Sequence, residues 1–356
     1  MKGEIRILDS FAGIGGLRMG FEKAAMEMGL ETRCVSAIEF DKDARNTYVD
    51  NFGHEPEYGD ITCIDDMSVM PDHDVLLAGF PCQTFSRNGK YYNKNNRTLG
   101  DDERKNLVTY LFEILNTKKP KMFLFENVKE ILSIKNSDGS LFFDTMSDNV
   151  AMLGYKMLYA VLDARDYGLP QQRRRVYMVG FRDDLDLHER FSFPESSGSS
   201  GCIRDILEDD VDDKYLIEKL WKNRKNIRLP GMRMDALRLA YKDKRWEENR
   251  SVREPVGKIL PVAIVYGDTP SGLPRQQDKL YSMWGVSPTI ATFSTPAIDV
   301  DGVWRLLTPR ECARLQGFPD DFILPGNDTL AYRQIGNSVP HNVVVAIAKK
   351  IMEVCK

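Results

Sequence analysis

Cys82 stands in Gly79–Phe80–Pro81–Cys82–Gln83–Thr84–Phe85–Ser86, directly after the apolar run Asp74–Phe80. If that run is a buried strand, the thiol reaches the carboxyl edge of a sheet, where α/β folds bind their ligands. A cysteine taken at random is better read as a small core hydrophobe; the edge position favours a nucleophile. Glu126–Asn127–Val128 ends another apolar run and brings a carboxylate to the same edge, with a strand-end salt bridge as the plain alternative. Gln171–Gln172–Arg173–Arg174–Arg175 adds cations just before a further run. Cations of this kind favour a thiolate, although a charged turn between two strands would look the same.

A second group of residues suits a small ligand. The first strand-to-helix turn reads Asp9–Ser10–Phe11–Ala12–Gly13–Ile14–Gly15–Gly16. Its glycines let a backbone approach a ligand closely, but the dinucleotide fingerprint fails at its third position, which is Arg18. Asp9 at the strand end would repel a pyrophosphate and suits a cation. Glu39 ends the second strand, where an acidic side chain grips ribose hydroxyls; its plain alternative is to cap a helix beginning near Asp41. A ribose without phosphates, joined to a positive group, describes S-adenosyl-L-methionine. These features alone favour a methyltransferase over a nucleotide-binding oxidoreductase only modestly.

The elements that must position these groups follow from hydrophobic patterning. Apolar β-rich runs at Ile5–Phe11, Cys34–Phe40, Asp74–Phe80, Met122–Glu126, Met157–Leu162 and Val176–Phe181 alternate with helical patterns. That alternation predicts βαβ units and a mostly parallel α/β sheet covered on both faces. Only the turn-like stretch Asp163–Arg175 separates the last two runs, which predicts a hairpin and a sheet closing with an antiparallel strand. After Phe193 the segment Pro194–Gly201 is rich in serine and glycine and marks a domain border. Near the carboxyl end Val339, Val343, Ile347, Ile351 and Val354 form one helix face, with Asn337 and Ser338 as N-cap candidates and Pro340 near the first position. Such a stripe needs a sheet to lie on, so residues 330–356 are expected to complete a first domain, 1–192. Residues 193–300 would form a second domain and 301–329 a hinge segment.

With 356 residues the chain is long enough for about two domains. Its 49 Lys+Arg against 53 Asp+Glu do not advertise a nucleic-acid binder, yet an average says little about one face. From Ile217 to Lys258 there are 13 Lys/Arg against 6 Asp/Glu, with Trp221, Tyr241 and Trp246 interleaved. That pattern is as compatible with a phosphate-binding surface as with a solvated helical face. The six cysteines form no C-x-x-C pair and the four histidines show no zinc spacing, so neither a disulfide framework nor a metal is expected. The longest apolar runs are too short to cross a bilayer and the first residues lack a signal-peptide layout, so a cytoplasmic protein is expected.

Taken together, these residues resemble the DNA (cytosine-5) methyltransferase family. The blocks occur in the family's order: Asp9–Gly16, Glu39, Gly59–Asp60–Ile61, Pro81–Cys82–Gln83, Glu126–Asn127–Val128, Gln171-x-Arg173-x-Arg175, Leu307–Cys312 and Gln334–Pro340. Resemblance covers residues 5–182 and 303–356; the unmatched middle is the family's variable target-recognition segment. The likeness implies a Rossmann-like fold dependent on S-adenosyl-L-methionine, with S-adenosyl-L-homocysteine as product. It implies Cys82, Glu126, Arg173 and Arg175 as catalytic residues, with Cys82 attacking carbon 6 of cytosine, Glu126 holding the base, and Arg173 helping to hold the base and the Cys82 loop. Phe11, Ala12, Gly13, Ile14, Gly15, Glu39, Asp60, Ile61, Pro81, Leu107, Asn337, Ser338 and Val339 would hold the cofactor.

The same resemblance implies double-stranded DNA as partner and a flipped-out target base; the polar, Gly- and Asn-rich loop Arg87–Gly100 is expected to close over that base, and the chain's length suggests a stand-alone monomer of prokaryotic or phage type. A separate cognate endonuclease would complete a restriction-modification system. Arg233, Arg250, Arg275, Gln276 and Gln277 are candidates for reading base edges. A tRNA cytosine-5 methyltransferase and a non-catalytic DNA-binding relative are the alternatives; retention of Cys82, Glu126 and Arg173 argues against the latter. Amino-methylating DNA enzymes are remote, since no Asp/Asn-Pro-Pro-aromatic tetrad occurs.

Overall fold

The computed structural model describes residues 4–81, 101–136, 138–198, 200–218, 246–264, 276, 279–292 and 295–355. By compactness the chain divides into two units. One comprises Met1–Leu162, Arg174–Glu195 and Val343–Lys356; the other comprises Asp163–Arg173 and Ser196–Asn342.

The first unit is built on β1 (Ile5–Ser10), α1 (Gly16–Glu27), β2 (Thr32–Ile38), α2 (Lys42–Phe52), β3 (Val75–Ala78), α3 (Asp101–Lys118), β4 (Met122–Val128), α4 (Phe142–Met152), β5 (Tyr155–Asp163) and β6 (Arg174–Arg182). Its six strands lie in the order β2-β1-β3-β4-β6-β5. β1 pairs in parallel with β2 and β3, and β3 with β4, while β6 runs antiparallel to β4. The antiparallel strand is therefore the last in sequence, as patterning predicts, but it does not close the sheet. It is inserted between β4 and β5, and β5 takes the edge.

Burial follows from that order. Every residue of β3 and β4 is buried, as expected of strands covered on both faces, which read as unbroken apolar runs. The edge strand β5 is only partly covered, and Tyr159 and Val161 stay exposed. Phe123 and Phe125 of β4 stack with centroids 4.3 Å apart. A Cβ at Gly180 of β6 would lie 2.0 Å from the Phe123 ring, so glycine is needed there to admit the aromatic pair.

The second unit carries a four-stranded sheet of β7 (Pro261–Ile264), β8 (Lys279–Ser282), β9 (Ala297–Val300) and β10 (Val303–Leu306), in the order β10-β9-β8-β7. The helices α5 (Pro309–Leu315) and α6 (Asp328–Asn337) follow. α5 starts with a complete capping box, Thr308 accepting from Glu311 N and Glu311 reaching back. Glu311 is fully buried and is paired by Arg305 through two bonds of 2.6 and 2.7 Å.

The last helix, α7 (His341–Val354), buries Val343, Val344, Ile347, Ala348, Ile351 and Met352. Beyond its first two residues it belongs to the first unit, where Lys349 pairs with Glu27 of α1 at 2.6 Å. Its start corrects the expected caps. Asn337 is the last residue of α6 and Ser338 closes that helix; Asn327 caps its start, accepting from Leu330 N at 3.0 Å. The polar pair therefore ends one helix instead of opening the next, and Val339 lies in the turn between them.

The unit bounds also differ from those patterning suggests. Residues 301–342 lie within the second unit, and the short segment Asp163–Arg173 leaves the first unit to join it. Hydrogen bonds account for that excursion: Gln171 Nε2 donates to Leu315 O at 3.0 Å, and Ile290 N donates to Gln171 Oε1 at 3.1 Å.

Candidate active site

At the end of β1 the chain makes the turn that carries the first candidate residues. Phe11, Gly13 and Gly15 all have positive φ, 54°, 57° and 84°. Ala12 N donates to Ile38 O at 3.0 Å and Gly15 N to Ala12 O at 2.8 Å. The two glycines serve different ends. A Cβ at Gly15 would fall 2.2 Å from the Phe52 ring, whereas one at Gly13 meets nothing within 4 Å. Gly15 is thus demanded by packing, and Gly13 leaves open space beside the turn.

Arg18, which breaks the dinucleotide fingerprint, has work of its own. It is buried, lies 4.1 Å over the Phe52 ring, and donates to Tyr48 Oη at 2.7 Å. Its Nε pairs with Glu22 at 2.8 Å, and His54 Nε2 lies 2.8 Å from Nη1. The guanidinium ties α1 to Tyr48 and Phe52 of α2 at the position where a third glycine would serve close helix–strand packing.

Asp9 is fully buried, and neither carboxylate oxygen has a hydrogen-bond partner. Burial pushes its carboxyl up to about 8; Arg18 opposes the rise, and the negative charges of Glu22 and Glu39 add to it. An orphaned buried carboxyl at a strand end is a ready acceptor for a cation. Glu39 lies across the turn: its Oε2 accepts from Gly13 N at 2.6 Å and its Oε1 from Asp41 N at 2.7 Å. Burial raises its carboxyl against those bonds. The helix-capping alternative belongs to Asp41, whose Oδ1 accepts from Asp43 N and Ala44 N, while Glu39 locks the turn.

Asp60 caps a short 3-10 helix, Oδ1 accepting from Thr62 N at 2.9 Å and Thr62 Oγ1 at 2.8 Å. Ile61 is buried in the main core, against which Phe11 and Leu107 also pack. Pro81 is half-buried. Phe40, which follows Glu39, is 76% exposed. These residues fit S-adenosyl-L-methionine: an unpaired acidic oxygen pair for a cation, a second carboxylate for ribose hydroxyls, and apolar side chains for an adenine.

The carboxyl ends of β3 and β4 form the other half of the site. Glu126 stands opposite Tyr177 of β6, and its Oε1 lies 3.1 Å from Arg175 Nε. Asn127, named from the sequence without a role, ties the two strand ends together. Its Nδ2 donates to Phe80 O at 3.1 Å, and its Oδ1 accepts from Val128 N at 2.8 Å. A Cβ at Gly79 would lie 3.9 Å from Glu126 Oε2. Cys82 follows Pro81 directly in sequence but lies outside the described residues, as does the whole Arg87–Gly100 loop.

In the second unit, Arg173 is 2% exposed and its guanidinium donates to main-chain carbonyls. Nη1 reaches Ile290 O at 2.9 Å, and Nη2 reaches Gly336 O at 2.9 Å and Ser338 O at 2.7 Å. These bonds brace the turn that carries Asn337, Ser338 and Val339. Of the candidate base readers, Arg250 donates to Val262 O at 2.9 Å and Gln276 to Thr289 O at 2.8 Å. Arg233, Arg275, Gln277, Trp221 and Tyr241 lie outside the described residues. Among the described residues no cluster of His, Cys, Asp or Glu could hold a metal ion, and no helix is long and apolar enough to cross a membrane.

Comparison with known proteins bears on this arrangement. The family model for C-5 cytosine-specific DNA methylase matches residues 5–353. The chain belongs to that family. Type II methyltransferase M1.ScrFI of Lactococcus lactis subsp. cremoris is 38% identical to this methylase over 98% of the chain and 78% of that protein. M.NlaX of Neisseria lactamica is 38% identical over 97% and 96%, and M.HhaI of Haemophilus parahaemolyticus 34% identical over 98% and 94%. A prophage-encoded DNA modification methyltransferase (E. coli) matches the fold with TM-score 0.66 at 23% identity, covering 99% of each chain. An Entamoeba histolytica methyltransferase does so with TM-score 0.66 at 16% identity. The methylase is a DNA cytosine-5-methyltransferase by family, with the α/β sheet expected from its strand runs and the Rossmann-like fold that the resemblance implies.

Proposed function

We propose that this methylase transfers a methyl group from S-adenosyl-L-methionine to carbon 5 of a flipped-out cytosine within a specific duplex sequence, as the modification half of a type II restriction-modification system. The observation that carries the reading is the Glu126 carboxylate, held by Arg175 at the end of β4 and tied through Asn127 to the strand end that leads into Cys82.

The chemistry needs both groups. Carbon 5 of cytosine is a poor nucleophile until a group adds at carbon 6. The Cys82 thiolate forms that sulfur–carbon bond, and the electron pair of the ring double bond moves to carbon 5. Glu126 hydrogen-bonds the ring nitrogen and the exocyclic amino group, offsetting charge that builds in the ring. Arg175 fixes the Glu126 carboxyl. When bound, S-adenosyl-L-methionine supplies an electrophilic methyl group on a sulfonium. After transfer, carbon 5 loses its proton to a base and the Cys82 bond breaks, restoring the aromatic ring. Swinging the cytosine out of the stack costs a few kcal/mol, about what contacts to a flipped base return.

For the cofactor, Asp9 faces the positive groups, Glu39 the ribose, and Phe40, Asp60, Ile61, Pro81 and Leu107 the adenine, with Phe11 through Gly15 forming the floor. Residues 193–300 are the target-recognition domain, and the enzyme acts as a monomer in the cytoplasm.

Asp9 makes binding pH-dependent. Its carboxyl, at about 8, is neutral at pH 7 in the free protein; a cation beside it favours the ionised form, so binding releases a proton. Affinity for the methyl donor should rise by up to about tenfold per pH unit between 6 and 8, then level off. Folding carries the opposite sign. The unfolded chain ionises this group near 3.8 and the folded protein near 8, so the free protein loses stability as pH rises through that window. Asp9→Asn should flatten both profiles. Calorimetric titrations in buffers of different ionisation enthalpy measure the proton release directly, and equal affinity at pH 6 and 8 would remove Asp9 from the site.

The reading as a whole is tested by incubating purified protein with methyl-labelled S-adenosyl-L-methionine and either plasmid DNA or tRNA. Label should enter DNA as 5-methylcytosine at one short motif. Label in tRNA alone, or in neither, overturns it.

A further inference from the structure

Gly15 ends the turn that follows β1 and stands at the N-cap of α1. Its φ of 84° is left-handed; Gly15 N closes the turn on Ala12 O at 2.8 Å, and Met19 N donates to Gly15 O at 2.9 Å. Glycine reaches this conformation without steric cost, but with no side chain it leaves it just as readily. A neighbour has to hold it there. That neighbour is the end of α2: a Cβ on Gly15 would lie 2.2 and 2.5 Å from Phe52 Cε2 and Cζ, and 3.3 Å from Tyr48 Cε2. Tyr48 and Phe52 are four residues apart and share one face of α2, which ends at Gly53, whose N–H donates to Val49 O at 2.8 Å.

The far end of a phenylalanine ordinarily gives way by a rotation of its side chain. This one is clamped. The Tyr48 and Phe52 ring centroids lie 4.5 Å apart, and Arg18 Cζ stands 4.1 Å from the Phe52 centroid, a cation over an aromatic face. Arg18 is itself fixed, donating to Tyr48 Oη at 2.7 Å, to Glu22 Oε1 at 2.8 Å and to His54 Nε2 at 2.8 Å; a guanidinium can only donate. The turn, both helices and the clamp all belong to the first unit.

We propose that Phe52 is a positioning residue for the methyl donor: its ring, held between Arg18 and Tyr48, is the wall that keeps Gly15 left-handed and the Phe11–Gly15 turn ready-made for the ligand. The proposal rests on the reading that this turn floors the donor site. A turn held in advance spares the ligand the cost of ordering it.

The test is equilibrium binding of S-adenosyl-L-methionine to the full-length protein without DNA, measured by calorimetry well below the Tm of each variant. Phe52→Ala removes the wall and should weaken binding by about three- to tenfold, the range for ordering one loose group. Phe52→Leu fills part of the space, should lose less, and keeps the measurement open if the alanine variant fails to fold. Gly15→Ala should also weaken binding, since its methyl meets the clamped ring. The double variant decides. With the ring gone the methyl enters the vacated space, so the factor lost to Gly15→Ala should shrink by at least about threefold in the Phe52→Ala background. In turnover, the KM for the donor should rise with the dissociation constant. A ring that serves stability alone would shift Tm and leave donor affinity where it was.

The outcomes separate the two readings. If neither Gly13→Ala nor Gly15→Ala changes donor affinity, the turn is not the donor's floor and the proposal falls with that reading. If either glycine variant weakens binding while Phe52→Ala and Phe52→Leu bind like the parent, the turn keeps its role and Phe52 loses its own. Losses from Gly15→Ala and Phe52→Ala that simply multiply in the double variant also overturn the proposal.

Discussion

Cys82→Ser is expected to lower methyl transfer to duplex DNA by at least about a thousandfold, a barrier increase of ~4 kcal/mol. The sulfur is the one atom in the scheme that forms and breaks a bond to the base, and a serine hydroxyl is far less ionised at neutral pH than a thiol. Donor binding should be unchanged, since the thiol serves the base and not the cofactor. A stricter measurement uses an oligonucleotide with fluorine at carbon 5 of the target cytosine. Fluorine cannot leave as a proton does, so the adduct persists after methyl transfer. A heat-stable complex should form with the parent protein, map to Cys82, and be absent from the serine variant. If the parent forms none, the covalent mechanism is wrong.

Glu126→Gln should cost about a hundred- to a thousandfold in single-turnover rate, the range for losing one acid–base or electrostatic partner of a transition state. The amide matches the carboxyl in shape and still hydrogen-bonds the base, but it cannot share a proton with the ring nitrogen as sulfur adds. It also breaks the 3.1 Å pairing with Arg175, so the guanidinium loses its charged partner. DNA affinity should stay within about threefold of the parent, because the loss is confined to the transition state. Formation of the fluorocytosine adduct, followed by gel shift under denaturing conditions, reports this step alone. A normal rate of adduct formation in the variant would remove Glu126 from the chemistry and leave it the strand-end salt bridge that the sequence also allows.

Several features of this protein were readable from local pattern. The strand runs named from the sequence overlap all six strands of the main sheet; β3 and β4, buried on both faces, read as unbroken apolar stretches. Asp9, Glu39 and Glu126 stand in β1, just past β2 and in β4 respectively, because a carboxylate at the end of an apolar run has nowhere else to go. The carboxyl-terminal stripe, too, marks a true helix that returns to the first unit.

Other features came from contacts between residues far apart in the chain. No spacing rule reveals which carbonyls an arginine in a turn will bind, and Arg173 binds those of Ile290, Gly336 and Ser338. Asn337 and Ser338 have the composition of an N-cap; they end α6 because Asn327 had already begun that helix ten residues earlier. Arg18 read as a missing glycine until Phe52 and Tyr48 surrounded it.

The chain's own residues therefore determined which chemical groups exist and that they cluster at strand ends, since both depend on periods of two and on single strand-to-helix turns. Tertiary structure alone decided which of those groups hold others in place. That choice depends on hydrogen bonds spanning more than a hundred residues, such as Arg173 to Ile290 and to Ser338, and a local pattern carries no record of them.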